Sequence, residues 1–238
     1  MAECSFVTLQ IVRFSALVSA SDLDTTCPGG LPAFWAVGFD AREAQTDARR
    51  ATAFWWCGFG VHRDEASARA TLAAGGLERR AISWEAIASS RVLLQPFSQR
   101  GAINWLDRDD PGPVFAGAGE APPAGESIVV ITTVGHNFGR GFKLSRALEF
   151  GRAVDRVYDA MSLSVPPGLR FRRVFTFPDY RIDPITVTWW DDDASMRAFA
   201  YRPGAHKTEL DRLPTLDLAD RTSFTRLRVV EAAGSLGS

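Results

Sequence analysis

The chain has 238 residues, 46% of them hydrophobic and 11% aromatic, and its formal net charge at pH 7 is −1. This composition excludes a disordered chain, and the length suits one large domain or two small fused ones. The balanced charge argues against a nucleic-acid binder, which usually carries a basic excess on one face.

Three widely spaced cysteines, Cys4, Cys27 and Cys57, argue against a disulfide framework or a zinc site. No signal peptide is apparent, and no apolar run approaches the length of a transmembrane helix. We therefore expect a cytoplasmic location.

The first half of the chain contains three strand-like segments. Residues 4–14 alternate apolar and polar positions, residues 54–61 are rich in aromatics, and residues 91–97 are mainly apolar. Between the first two, residues 15–32 are rich in Asp, Thr and Gly, so any helix there is short or missing. An Ala-rich helix with an acidic cap follows the aromatic strand, and His62 beside it is predicted to be a capping or surface residue.

Residues 107–125 are rich in Pro, Gly and acidic side chains and predict a linker. Residues 127–134 then predict a β-branched strand, and an amphipathic helix follows and ends at Pro166-Pro167-Gly168. The apolar stripe of this helix is formed by Leu144, Leu148, Val154, Val157 and Tyr158.

The segment after this helix predicts two more strands, at 170–177 and 185–190, joined by a turn. Because alternate strand residues face opposite ways, Trp189 and Trp190 cannot share a pocket. The acidic run that follows them is better explained as a helix cap than as a metal site. A final strand is predicted at 224–230.

One motif occurs twice in the chain. Asp64-Glu-Ala-Ser-Ala-Arg-Ala70 reappears as Asp192-Asp-Ala-Ser-Met-Arg-Ala198, an offset of 192 − 64 = 128 residues. Such a motif can arise by chance in an Ala- and Arg-rich chain, but the flanking strands keep nearly the same offset. The duplication predicts an α+β fold of tandem ferredoxin-like β-α-β-β-α-β repeats, with antiparallel sheets and helices on the outside.

The repeat also predicts how the chain is divided. Residues 1–106 form the first repeat, 107–125 the linker, and 126–238 the second repeat, which we expect to carry the site. The two sheets can pair face to face within one chain, and an apolar pocket can form between a sheet and its own helices.

The second half resembles the spheroidene monooxygenase family of carotenoid-oxidising enzymes. The resemblance is carried by Val129-Val-Ile-Thr-Thr133, Leu144-Ser-Arg-Ala-Leu-Glu-Phe150, Thr186-Val-Thr-Trp-Trp190, Phe199-Ala-Tyr-Arg202 and Ala205-His206. The chain departs from the family at Gly151, where Trp is expected, and at residues 214–222. The resemblance implies a fold of the dimeric α/β-barrel type, an oxygen-dependent oxidation of a lipophilic compound, and a haem cofactor.

The candidate iron ligand is His206, which is the matching histidine position in the resembled family. It follows Pro203-Gly204, a helix break, and opens a new helical turn, where the helix dipole disfavours imidazolium and favours the neutral, metal-binding ring. The alternative interpretation is that His206 is a surface residue with no role in metal binding. Tyr201 and Trp190 are the other expected cofactor contacts, although a core position is the simpler explanation for both aromatic side chains.

A glycine-rich turn after the strand at 127–134 contains His136 and Arg140. We interpret His136 as a distal catalytic group, and Arg140 as a second catalytic group that also holds a haem propionate. The alternative for both is an exposed loop.

These observations favour a haem-dependent oxygenase that acts on a lipophilic, carotenoid-like natural product, with O2 and an external electron donor as further partners. A haem-dependent dehydratase on the same fold, a cofactor-free oxygenase or cyclase, and a non-catalytic haem-handling protein are the alternatives. No nucleic-acid partner is expected. Contact with a membrane surface and formation of a homo-oligomer stay open.

Overall fold

A computed structural model describes residues 4–27, 29, 32–42, 45–47, 50–77, 85–101, 115, 120–135, 144–177, 184–216 and 221–236. The linker predicted at 107–125 and the turn before residue 184 lie largely outside these residues. No helix among the described residues has the length and apolarity needed to cross a membrane.

The first half is built mainly of strands. The order along the chain is a long strand, a three-residue 3-10 helix, three strands, one helix and a final strand. These elements are β1 (Phe6–Ser19), the 3-10 helix (Ala20–Asp22), β2 (Phe34–Asp40), β3 (Gln45–Asp47), β4 (Arg50–His62), α1 (Glu65–Ala73) and β5 (Ala86–Gly101). The short 3-10 helix confirms that the first crossover helix is almost lost.

The second half shows the full predicted order, with the last helix split in two. Its elements are β6 (Ile128–Gly135), α2 (Leu144–Leu163), β7 (Leu169–Thr176), β8 (Ile185–Trp190), α3 (Asp193–Tyr201), α4 (Ala205–Leu216) and β9 (Arg221–Ser235). The split falls at Arg202-Pro203-Gly204, where Arg202 turns to an extended conformation at φ −75° and ψ 154°. The helix break expected from Pro203 is therefore confirmed.

The strands join into one closed, antiparallel sheet. Eight of the nine strands follow the order β1-β5-β9-β6-β8-β7-β2-β4, and β4 pairs again with β1 to complete the circle, while β3 extends from β4. Each half contributes four neighbouring strands in the ferredoxin-like order. The predicted α+β class with repeated ferredoxin-like units is confirmed, and the two sheets join edge to edge as well as facing each other.

The two edge-to-edge joints between the halves are unequal in length. The joint between β5 and β9 runs from Ser89 opposite Ser235 to Gly101 opposite Ser223. The joint between β2 and β7 consists of Phe39 opposite Thr176 and Asp40 opposite Phe175, with a further bond from Ala41 N–H to the Val174 carbonyl at 2.8 Å.

The repeated acidic motif caps a helix in both halves. Asp64 accepts a hydrogen bond from Ser67 N–H at 2.8 Å at the start of α1, and Asp192 accepts one from Ser195 N–H at 2.7 Å at the start of α3. This bond lowers the pKa of Asp192, because it stabilises the carboxylate. The two copies of the motif therefore have the same structural role, which is to cap a helix.

The core has an inner and an outer part. The inner core takes alternate residues from all eight strands of the closed sheet, and Trp189 belongs to it. Trp190 instead packs outward with Val130 and Met196 beneath the helices. The prediction that the two tryptophans face opposite ways is therefore confirmed.

Two sequence predictions about single residues are wrong. His62 is not a surface or capping residue, because it ends β4 and is fully buried. Its Nε2 lies 2.9 Å from Thr8 Oγ1, and its Nδ1 lies 3.1 Å from Ser67 Oγ. Leu148, assigned to the apolar stripe of α2, is 53% exposed. The periodic pattern did not locate the edge of the buried helix face.

Candidate functional site

A cavity of about 280 Å³ lies between the outer face of the second half's sheet and its helices. Alternation along β6, β8 and β9 aims one set of side chains outward, and the helices cover this set without filling the space beneath. The strands contribute Val130, Thr132, Thr186, Thr188, Trp190 and Phe224. The helices contribute Val157, Tyr158, Met161, Met196, Phe199, Tyr201, His206 and Leu210.

His206 is the half-buried second residue of α4 and lines this cavity. Its Nδ1 lies 3.3 Å from the carbonyl oxygen of Ala200, and its ring centroid lies 5.0 Å from that of Phe199. A carbonyl oxygen can only accept, so the bond requires that Nδ1 carries the proton and donates. The basic lone pair then belongs to Nε2.

The protonation state of His206 follows from its surroundings. Burial lowers the pKa of the imidazole below its usual value, and the bond to Ala200 offsets part of that effect. The ring is therefore neutral at pH 7. A neutral imidazole whose Nδ1 donates to a backbone carbonyl is the usual form of a histidine that binds a metal through Nε2.

Trp190 and Tyr201 line the same cavity as His206. Trp190 is buried, donates from Nε1 to Thr188 Oγ1 at 2.8 Å, and its ring lies 5.3 Å from that of Phe199. Tyr201 is 52% exposed and stands where the cavity meets solvent. The structure thus brings three of the predicted site residues together, whereas His136 and Arg140 lie outside the described residues.

Tyr158 is a cavity residue whose polar group the sequence pattern did not reveal. Its hydroxyl is buried and has no hydrogen-bond partner among the described residues, and the guanidinium groups of Arg42 and Arg172 lie 4.7 and 5.2 Å from its ring centroid. Burial raises its pKa, and the Asp40 carboxylate adds to this, so the phenol stays protonated. Helical periodicity marked Tyr158 as a core position only, since it carries no information about polar groups.

One end of the cavity is positively charged. Arg226, on β9, donates to Asp193 Oδ1 at 2.7 Å and to Ser98 Oγ at 2.8 Å, which connects the strands to the start of α3. Arg100, on the neighbouring strand β5, is exposed and lines the same end. This pair was missed because the two arginines are far apart in sequence, and only the β5–β9 pairing brings them together.

Two neighbouring spaces share walls with the cavity. A space of about 120 Å³ continues it along α2 and α4. A groove of about 460 Å³ lies beside the turn between α3 and α4, and His206, Phe199 and Met161 line both the groove and the cavity. The imidazole is therefore part of a thin partition with space on either side.

In the first half, a tryptophan occupies the position that corresponds to this cavity. Gly58 and Gly60 on β4 correspond, at the 128-residue offset, to Thr186 and Thr188 on β8. A Cβ atom at Gly58 would lie 2.5 Å from Cη2 of Trp35, and one at Gly60 would lie 3.2 Å from its Cε3. The indole of Trp35 thus covers the sheet where the second half has an open space.

The donor set fits a metal that brings most of its own ligands. Among the residues that the structure describes, no group of three or more His, Cys, Asp or Glu side chains could hold a metal ion. A single imidazole is enough for haem iron, because the porphyrin supplies four nitrogens. His206 could hold the iron, apolar side chains could contact the ring, and Arg100 and Arg226 could pair with the propionates.

Comparisons with known proteins identify the fold. No family model matches the sequence, and no curated protein matches it. A crystal structure of an aldoxime dehydratase in complex with butyraldoxime matches 99% of this chain and 84% of its own, with a TM-score of 0.56 at 12% identity. A second aldoxime dehydratase structure matches 96% of this chain and 82% of its own, with a TM-score of 0.54 at 10% identity.

A third structure is that of an uncharacterized ferredoxin fold protein, related to antibiotic biosynthesis monooxygenases, from Listeria monocytogenes 4b F2365. It covers 95% of this chain and 96% of its own at 7% identity, and its TM-score is 0.34. The two dehydratases, with scores above 0.5, carry the comparison. At their level of identity the likeness concerns the fold alone.

Proposed function

We propose that this protein is a haem-dependent oxygenase that acts on a lipophilic small molecule of the carotenoid-like class. The observation that carries the proposal is the neutral imidazole of His206, with Nδ1 bonded to Ala200 and its ring in the wall of an apolar cavity. This arrangement leaves Nε2 as a ligand for iron.

The chain's own groups would have distinct tasks. His206 holds the iron, and the Ala200 carbonyl fixes the orientation and tautomer of the ring. The apolar walls contributed by Val130, Met196 and Phe224 exclude water and favour an apolar substrate. Haem, when bound, would supply the oxygen chemistry, with electrons from an external donor.

The polar groups of the cavity would orient what enters it. Arg100 and Arg226 place positive charge at one end, which suits carboxylates such as the haem propionates. The Tyr158 hydroxyl is a protonated donor with no partner in the described part of the chain, so it is available to an acceptor atom of the substrate. In this proposal His136 and Arg140, which follow β6 in the sequence, also act on the substrate and the cofactor.

A spectroscopic titration tests the haem part of the proposal. Purified protein is titrated with haemin, then reduced and exposed to carbon monoxide, and the absorbance of the Soret band is followed. We expect a band that shifts on both treatments in the parent and in His136→Ala, and that is lost in His206→Ala. If the parent gives only the absorbance of free haemin, a cofactor-free enzyme is favoured, in which His206 acts as an acid-base group.

A second candidate function is a haem-dependent dehydratase. It is favoured by one observation, the fold match over almost the whole chain to an aldoxime dehydratase in complex with butyraldoxime. Dehydration of an aldoxime gives a nitrile and water with no net oxidation, so it needs neither O2 nor net electrons. Conversion of butyraldoxime to butyronitrile without oxygen would support the dehydratase, whereas oxygen-dependent consumption of a polyene would support the oxygenase.

A further inference from the structure

A second cavity, of about 430 Å³, opens at one end of the closed sheet, beside the middle of β1 and the start of β5. It shares no lining residue with the cavity beside His206. Its floor is formed by Trp55 and Phe171, two inner-core residues whose rings lie 5.6 Å apart. The mouth of the sheet is therefore a separate place to which a small molecule has access.

Two arginines share one indole at this mouth. The guanidinium carbon of Arg13 lies 5.7 Å from the ring centroid of Trp55, and that of Arg173 lies 4.7 Å from it. The aromatic ring attracts both cations, although they repel each other. This arrangement concentrates positive charge at the edge of an apolar core.

The described carboxylates neutralise only part of this charge. Asp40, which is almost fully buried, pairs with Arg173 at 3.4 Å between Oδ2 and Nε. Arg13 is exposed, and no carboxylate of the described residues lies within ion-pair distance of it. Counted over the described residues alone, the mouth thus carries more positive than negative charge, which favours a bound anion.

Apolar side chains line the mouth together with Arg13. Ile87 is 54% exposed and Val165 is 65% exposed, and both line the mouth together with Leu236. Exposed aliphatic groups beside an arginine match a ligand that has an anionic head and an apolar body.

We propose that the mouth of the closed sheet binds a small amphipathic monocarboxylate. The carboxylate is held by Arg13 and the neighbouring Arg173, and the apolar body lies against Ile87, Val165 and Leu236. This site is independent of the haem site, because it uses none of the residues near His206.

Calorimetric titration with decanoate tests the proposal, and decanol serves as the uncharged probe of equal chain length. The first variant is Arg13→Gln. Its matched control is Arg100→Gln, which removes an exposed strand arginine from the other cavity. We expect Arg13→Gln to weaken decanoate binding about tenfold, the loss typical of one charge-assisted hydrogen bond. Decanol binding should stay within about twofold of the parent, because decanol carries no charge.

Three results would overturn the proposal: no binding of decanoate to the parent, equal decanoate affinity in Arg13→Gln, or a loss confined to Arg100→Gln. A loss confined to Arg100→Gln would place the acid in the cavity beside His206. Arg13→Lys keeps the charge and should retain most of the affinity. If Arg13→Gln fails to fold, Ile87→Asp replaces it: the added carboxylate should weaken decanoate binding more than decanol binding, and an equal loss for both probes would also overturn the proposal.

Discussion

Nδ1 of His206 donates to the carbonyl oxygen of Ala200 across the break between α3 and α4. The acceptor comes from the last turn of one helix and the donor from the first turn of the next. The break at Arg202-Pro203-Gly204 therefore does more than end a helix. It brings a backbone acceptor that the helix end leaves unpaired next to a histidine, and this fixes the tautomer of the histidine.

Replacing His206 with glycine should create a space that free imidazole can fill. We expect His206→Gly to show no Soret band with haemin, and added imidazole to restore the band in a saturable way, because the ligand then comes from solution. Absorbance titration measures the effect. If imidazole had the same effect on the parent as on the variant, His206 would not be the ligand.

Tyr158→Phe should leave the fold as stable as before or stabilise it by up to about 1 kcal/mol. The substitution removes a buried hydroxyl for which the described residues offer no hydrogen-bond partner, and it keeps the ring's contacts with Arg42 and Arg172. Urea unfolding measures the change, with the half-exposed Tyr201→Phe as a control that should have no effect. A loss above about 1 kcal/mol would mean that the hydroxyl has a partner in solution.

Gly58→Ala should destabilise the protein by about 1–3 kcal/mol, because its Cβ would lie 2.5 Å from the indole of Trp35. Gly151→Ala is the matched control. Gly151 lies within α2, and a Cβ atom added there would have no other atom within 4 Å. Alanine at this position should therefore raise the free energy of unfolding by about 0.5–1 kcal/mol. Thermal or urea unfolding compares the two. Equal effects would show that Trp35 moves aside at little cost.

The burial of His62 should make stability depend on pH. Burial lowers the pKa of its imidazole to about 4, with a partial offset from Asp64, whereas an unfolded histidine titrates near 6.5. Between these values the unfolded chain binds the extra proton, so stability falls as the pH falls through this window. The slope should be about 1.4 kcal/mol per pH unit.

Urea unfolding at pH 7, 6 and 5 measures this effect, and His62→Gln serves as the variant that cannot titrate. The parent should lose about 2 kcal/mol more than the variant between pH 7 and pH 5. Parallel pH profiles for the two proteins would contradict the assignment. The comparison matters because other groups titrate near the lower end of this range, and they do so equally in both proteins.

The sequence was most informative where one local rule decides the structure. Strand alternation separated Trp189 from Trp190, and the repeated acidic motif located the starts of α1 and α3, because both depend on near neighbours in the chain. It was least informative where distant segments meet. The buried position of His62 and the pairing of Arg100 with β9 both depend on strands that are remote in sequence.

The cavity itself illustrates this limit. Its partial prediction came from three nearby residues, Trp190, Tyr201 and His206. The side chain that covers the corresponding position in the first half comes from elsewhere in the sequence, because the indole of Trp35 packs over the glycines of β4. No periodic pattern reports that a side chain from a neighbouring strand fills a space. Whether a space is filled depends on how side chains from distant segments pack in three dimensions.

The unequal joints between the halves have a mechanical consequence. A force that pulls the halves apart would separate the short joint of β2 with β7 first, and the Arg173–Asp40 and Arg42–Asp155 ion pairs are among the side-chain links that resist it. The long joint of β5 with β9 would then act as a hinge line. The molecule should therefore open readily at the joint of β2 with β7 and resist separation at the joint of β5 with β9.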